Sequence, residues 1–226
     1  MGRKVIINMC LTGMIPTKEM NPYTPITPQE IADSALKCAE MGASIVHIHA
    51  RDTDGKPTWK KEIYEDIIGR IKEKNKELLI CVTTSGRDWK EFEKRAEVLD
   101  LDDNLKPDLA SLTVGSMNFI SQESVNSPEM IERLATKMKE RGIKPELEIF
   151  EPGMIHKAKY LIKKGTISDA SPYFNILLGS LGTAPLEPAM MAAMHALLPE
   201  NAVWSLAGIG MFQLDANATA LALGGN

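Results

Sequence analysis

Seven times along the chain, a short apolar run of strand length is followed by an amphipathic stretch of helix length, and this repetition restricts the fold more than any other feature. The strand-length runs are VIINMCLT (residues 5–12), SIVHIHA (44–50), LLICVTT (78–84), LASLTVG (109–115), ELEIFE (146–151), YFNILLG (173–179) and VWSLAGI (203–209). Most are apolar nearly throughout, as strands covered on both faces of a parallel sheet are. Parallel neighbours need crossovers, and helices supply them. The first helix starts on Thr27-Pro28-Gln29-Glu30, a capping box with proline at the first helical position, and stops at Gly42. Further helices are expected over 60–74, 88–99, 128–141, 153–164, 188–198 and 212–223.

Seven βα repeats suit either a (β/α)8 (TIM-type) barrel or a doubly wound sheet. No GxGxxG or GxxxxGK[ST] follows the first strand, so the commonest reason to prefer a nucleotide-binding sheet is missing. Polar side chains recur instead at the C-terminal ends of successive strands, where a barrel assembles its active site. The expectation is an α/β fold, a TIM (β/α)8-type barrel over residues 1–226 as a single domain. Its eighth βα unit would be missing, since the chain stops at Asn226 just after the seventh helix.

A formal charge of -4 argues against a general affinity for nucleic acid or anionic membranes. The N-terminus MGRKVIINMC has no signal-peptide core, Ile6 breaks a myristoylation pattern, and no apolar stretch approaches a membrane span. Cys10, Cys38 and Cys81 are odd in number and widely spaced, so reduced core thiols in a cytoplasmic protein are expected.

The second strand reads Val46-His47-Ile48-His49-Ala50-Arg51-Asp52. Side chains at i and i+2 of a strand share a face, which places the two imidazoles together with Cβ atoms about 6–7 Å apart. Imidazoles so spaced can converge on one Zn²⁺, and a third protein ligand with an open position would make the site catalytic. Arg51 and Asp52 suit either strand-end hydrogen bonding that orients the imidazoles or an ordinary surface pair. His156, beside Lys157 and Lys159, reads as solvated, and His195 in AMMAAMHALL as a packing residue.

Other strand ends also carry chemistry. Thr83, Thr84 and Ser85 precede Gly86, offering hydroxyls and backbone N–H groups for a carboxylate, or capping the strand. Ser111 and Thr113 share a face of the fourth strand. Glu146 and Glu148 alternate with Leu147 and Ile149 on the fifth, where buried carboxylates require partners. Glu151, before Pro152-Gly153, suits a helix N-terminus. The loop Gly179–Thr183 could present N–H groups to a substrate, and the proline-rich 14–26 loop suits either a lid or a rigid surface loop.

Taken in order, the first strand ending in LTG, then TPQEIADSA, GASIVHIHARD, the TTSG strand end, LTVGSMNF, PELEIFEPGM, LIKKG, LLG and WSLAGIG resemble the β-keto acid cleavage enzymes over the whole chain. The resemblance implies a TIM-barrel enzyme holding one Zn²⁺ through two histidines and a glutamate. It would cleave a β-keto acid by a retro-Claisen step with acetyl-CoA, giving acetoacetate and a new acyl-CoA. His47 and His49 match the zinc histidines, Thr83 and Ser111 match hydroxyl positions that bind substrate, and Glu148 matches a carboxylate that supports the catalytic acid. Gly86 and Thr113 join the substrate-binding set. A homotetramer is also implied. A glutamate that binds the amino group of an aminohexanoate substrate falls at Ile15, so a less cationic keto acid is expected. The family's third zinc ligand, catalytic arginine and adjacent aspartate would fall beyond Asn226. Two rival readings stand beside this one: an amidohydrolase-like metallohydrolase, which also uses HxH on a barrel strand, and an inactive barrel fragment.

Overall fold

A computed structural model describes residues 3–102, 104–168 and 170–226. The chain divides into two compact units. One comprises Ile6–Thr84 and Glu93–Ala110; the other comprises Ser85–Phe92 and Ser111–Asn226, with the described residues ahead of Ile6.

In the first unit, β1 (Asn8–Cys10), β2 (Ile45–Ile48), β3 (Leu79–Val82) and the start of β4 (Leu109–Thr113) pair in chain order, all parallel. The ladder beside β1 is longer than the strand itself. Ser44 N and Ile45 N donate to Ile7 O, and Leu11 N donates to His47 O, so most of the expected 5–12 run is used. Between the strands lie α1 (Pro28–Glu40), α2 (Lys61–Lys74) and α3 (Phe92–Ala96). The capping box of α1 is fully formed. Thr27 accepts from Glu30 N, while Glu30 accepts from the N–H groups of Ile26 and Thr27. The helix buries Ile31, Ala32 and Ala35 completely, and α2 packs beside it with Tyr64, Ile67, Ile68 and Ile71 on its inner stripe.

Helix α3 is shorter than its sequence suggests. The 85–90 segment bends, with Arg87 N donating to Ser85 Oγ, and helix forms only from Phe92 before a 3-10 turn over Glu97–Asp100.

In the second unit, a two-stranded antiparallel hairpin of β5 (Met117–Asn118) and β6 (Glu123–Ser124) follows β4. Two-residue strands carry no periodicity, so nothing in the sequence marked them. Then come α4 (Pro128–Arg141), β7 (Lys144–Ile149), α5 (Pro152–Lys164), β8 (Tyr173–Leu178), α6 (Pro188–Leu197), β9 (Val203–Gly208) and α7 (Gln213–Ala222). Strands β7, β8 and β9 pair in chain order and in parallel. Glu151 sits at the N-cap of α5 as expected, though its side chain makes no capping bond there.

Among the described residues, seven parallel strands joined by helical crossovers give an α/β fold of the TIM (β/α)8 type. Among the described residues, no helix is long and apolar enough to cross a membrane.

One cysteine departs from expectation. Cys81 is buried and Cys38 half-buried, but Cys10 is exposed on β1. The apolar run around Cys10 is only partly covered, with Val5 and Ile7 also exposed.

Candidate active site

The histidine pair lies at the end of β2. Val46, Ile48 and Ala50 point to the other face and are 0%, 0% and 1% exposed, and this burial fixes the strand's register. His47 and His49 are therefore forced onto one face, where both are buried. Their ring centroids lie 5.0 Å apart with planes 22° from parallel. On either side, His47 faces Cys10 of β1 and Cys81 of β3 in register.

The strand end is held from three directions. Thr83 N donates to Ile48 O at 3.2 Å, and Ala50 N donates to the Tyr64 hydroxyl of α2 at 3.3 Å. Burial pushes the Tyr64 phenol well above its ordinary value, so it stays neutral and able to hold this position. Arg51, itself buried, donates to the carbonyls of Gly13 at 2.7 Å, Pro16 at 3.1 Å and Gly55 at 3.1 Å. It thus organises the loop after β1 and the turn after β2. Asp52 does a separate task, accepting from Asp54 N and Lys56 N at 2.9 Å each. Arg51 thus makes strand-end hydrogen bonds, whereas Asp52 closes the turn that follows the strand.

Thr83 and Thr84 follow β3 and are both buried. Arg95 of α3, also buried, donates to Thr84 O at 2.9 Å. Tyr64 and Arg95 were not anticipated. Each sits in an apolar helical stripe, and a polar residue on such a stripe is the only sequence signal for them.

In the second unit, Ser111 and Thr113 lie buried on β4. Thr113 Oγ1 donates to Glu148 Oε2, which meets the expectation that the strand carboxylate has a partner. Glu146, fully buried, accepts from Asn175 Nδ2 at 3.1 Å. Ser205 Oγ donates to Asn175 Oδ1 at 3.0 Å, and Tyr173 and Ser205 hydroxyls meet at 2.8 Å. One polar chain thus crosses β7, β8 and β9 on a single face, which the register pairs Glu148 with Asn175 and Asn175 with Ser205 make possible.

Gly86 lies buried in the loop after β3. The loop after β8 is tied rather than loose. Gly182 has φ +86, and a Cβ there would lie 2.5 Å from Asn118 O, so only glycine fits. The remaining histidines, His156 and His195, are both exposed; the His195 ring lies 5.0 Å from that of Trp204 but is not the covered packing residue expected. Ile15 is 48% exposed.

With this geometry in place, the sequence matches the beta-keto acid cleavage enzyme family over residues 4–226. The chain belongs to that family. Among β-keto acid cleavage enzymes it is 35% identical over 227 residues to the 3-keto-5-aminohexanoate cleavage enzyme of Fusobacterium nucleatum, covering 100% of this chain and 81% of the relative. It is 33% identical over 229 residues to the 3-oxoadipate:acetyl-CoA acetyltransferase of Cupriavidus necator, covering 100% and 78%. The apo structure of ObcA superposes with a TM-score of 0.76 at 18% identity, covering 91% of this chain. That likeness bears on the fold alone, and this chain spans about half (54%) of the length of that structure.

Proposed function

We propose that the chain transfers the acyl group of a β-keto acid to coenzyme A at the expense of acetyl-CoA. A keto acid R–CO–CH2–COO⁻ and CH3–CO–S–CoA would give R–CO–S–CoA and CH3–CO–CH2–COO⁻, so atoms and charge balance. The family match over residues 4–226 carries this reading. The two relatives, one a keto acid cleavage enzyme and one an acetyl-CoA acetyltransferase, agree with it.

We assign a Zn²⁺ ion to His47 and His49. Two buried imidazoles on one face, with ring centroids 5.0 Å apart, are a donor set that suits zinc. When bound, the ion would supply Lewis-acid polarisation of the substrate's carbonyl oxygen.

The chain's own residues take the remaining tasks. Arg51 fixes the strand end and so the direction of both imidazoles, by its three carbonyl contacts. Thr83 offers a hydroxyl, and Gly86 a backbone N–H, to the keto acid. Ser111 and Thr113 offer hydroxyls from β4. Glu148 supports proton transfer, with one carboxylate oxygen held by Thr113 so that the other keeps a defined direction. Ile15 favours keto acids without a distal ammonium group, because an apolar side chain gives a cation nothing to pair with.

The test is acetoacetate formation by the purified chain from 3-oxoadipate and acetyl-CoA, beside 3-keto-5-aminohexanoate. Turnover that requires acetyl-CoA and prefers the substrate lacking an amino group is expected. Keto acid consumption that proceeds equally without acetyl-CoA would sink the reading.

A further inference from the structure

The loop between β3 and α3 clasps the β5–β6 hairpin. Gln122 Nε2 donates to Asp88 Oδ1 at 3.3 Å, and Lys90 Nζ meets Glu123 Oε1 at 3.2 Å. Just ahead of these ties in the loop stands Arg87, whose guanidinium carbon lies 3.8 Å from the centroid of the Phe119 ring. Phe119 in turn meets Phe150 edge-on at 5.6 Å, and Phe150 directly follows β7, the strand bearing Glu148. The guanidinium is thus placed by a stack of two aromatic rings at the C-terminal end of that strand.

Its donors are not used within the described residues. Arg87 makes no side-chain hydrogen bond and no ion pair there, and its Nε is buried without a partner. A half-buried arginine whose donors have no protein acceptor is costly to keep, whereas the buried Arg51 and Arg95 are bonded to backbone carbonyls. Contact of a ring with one face of a guanidinium leaves its edge N–H groups open, and those edges match the paired oxygens of a carboxylate or phosphate. Burial draws the group's pKa down from the ordinary arginine value, while Asp88 and Glu148 hold it up, and a guanidinium remains charged through the physiological range.

We propose that Arg87 binds an oxyanion group of a substrate at this end of β7. The site takes either the carboxylate of a keto acid or a phosphate of coenzyme A. Only the choice of these two ligands rests on the acyl-transfer reading.

Isothermal titration of the full chain with acetoacetate, and separately with CoA, tests the assignment in wild type, Arg87→Met and Arg87→Lys. Loss of the charge-assisted bonds is expected to weaken one ligand by about tenfold or more. Lysine should recover part of the loss, since it restores a point charge without the planar fork. Weakening of acetoacetate alone places the keto acid carboxylate on Arg87, and weakening of CoA alone places a phosphate there. Arg87→Gln reads the same loss if the methionine variant does not fold. Folded neutral variants that bind both ligands as wild type does would overturn the proposal and leave the acyl-transfer reading standing. A wild-type chain that binds neither ligand would overturn both.

Discussion

His47 and His49 owe their convergence to their neighbours as much as to themselves. Because Val46, Ile48 and Ala50 are buried on the opposite face, a one-residue slip of β2 would bury both imidazoles in the apolar layer, at a cost no strand tolerates. The double variant His47→Ala/His49→Ala should therefore keep the fold and lose zinc. Near-stoichiometric zinc in wild type and little in the variant, by atomic emission after dialysis against a weak chelator, is the expected outcome. Equal zinc in both would remove the assignment. Glu148→Gln is expected to lower kcat by roughly 10–100-fold, the range typical when an orienting partner is lost. Thr113→Val should show part of the same loss together with a raised KM, since the hydroxyl that holds Glu148 is also offered to the keto acid. A variant pair with wild-type kcat would free Glu148 of any role in turnover.

The elements whose ends carry explicit chemical signals were readable; the others were not. Thr27-Pro28-Gln29-Glu30 announced α1, and the structure shows both capping bonds. Thr27→Ala should cost about 0.5–2 kcal/mol, seen as a lowered denaturant midpoint. Glu30 also meets Lys18, and with the Thr27 and Ile26 N–H groups this holds its carboxyl down at about 2. A carboxyl lowered in the fold stabilises above its ordinary range near 4.5 and loses that contribution as pH falls through about 2. The pair is exposed, so the effect is small. Glu30→Gln should flatten the stability change between pH 4.5 and 2, and an identical pH profile would count against this carboxylate. By contrast, α3 starts late and the β5–β6 hairpin was invisible, because side-chain bonds from Asp88 and Lys90 to the hairpin, not local propensity, shape the 85–90 segment.

At the scale of the molecule, zinc held by the native strand end and not by the unfolded chain would add stability by mass action, about 2.7 kcal/mol at a hundredfold excess over Kd. For a chain of 226 residues this corresponds to a rise in Tm of roughly 5–10 °C. Thermal melts with zinc and with chelator should differ by that much in wild type and coincide in His47→Ala/His49→Ala. Coincident melts in wild type would mean that the metal is not bound selectively by the folded state. The sequence by itself determined the seven βα repeats, the parallel class, the shared face of the two histidines and the family, because hydrophobic periodicity and strand alternation are local properties of the chain. Only the tertiary structure decided which acceptors Arg51 and Arg95 take, that Thr113 holds Glu148, that Asn175 and Ser205 join Glu146 in one polar chain, and that Arg87 stands on Phe119. Each of these joins residues far apart in sequence or set by strand register, and a hydrogen bond's partner is fixed by position in space, which no local pattern records.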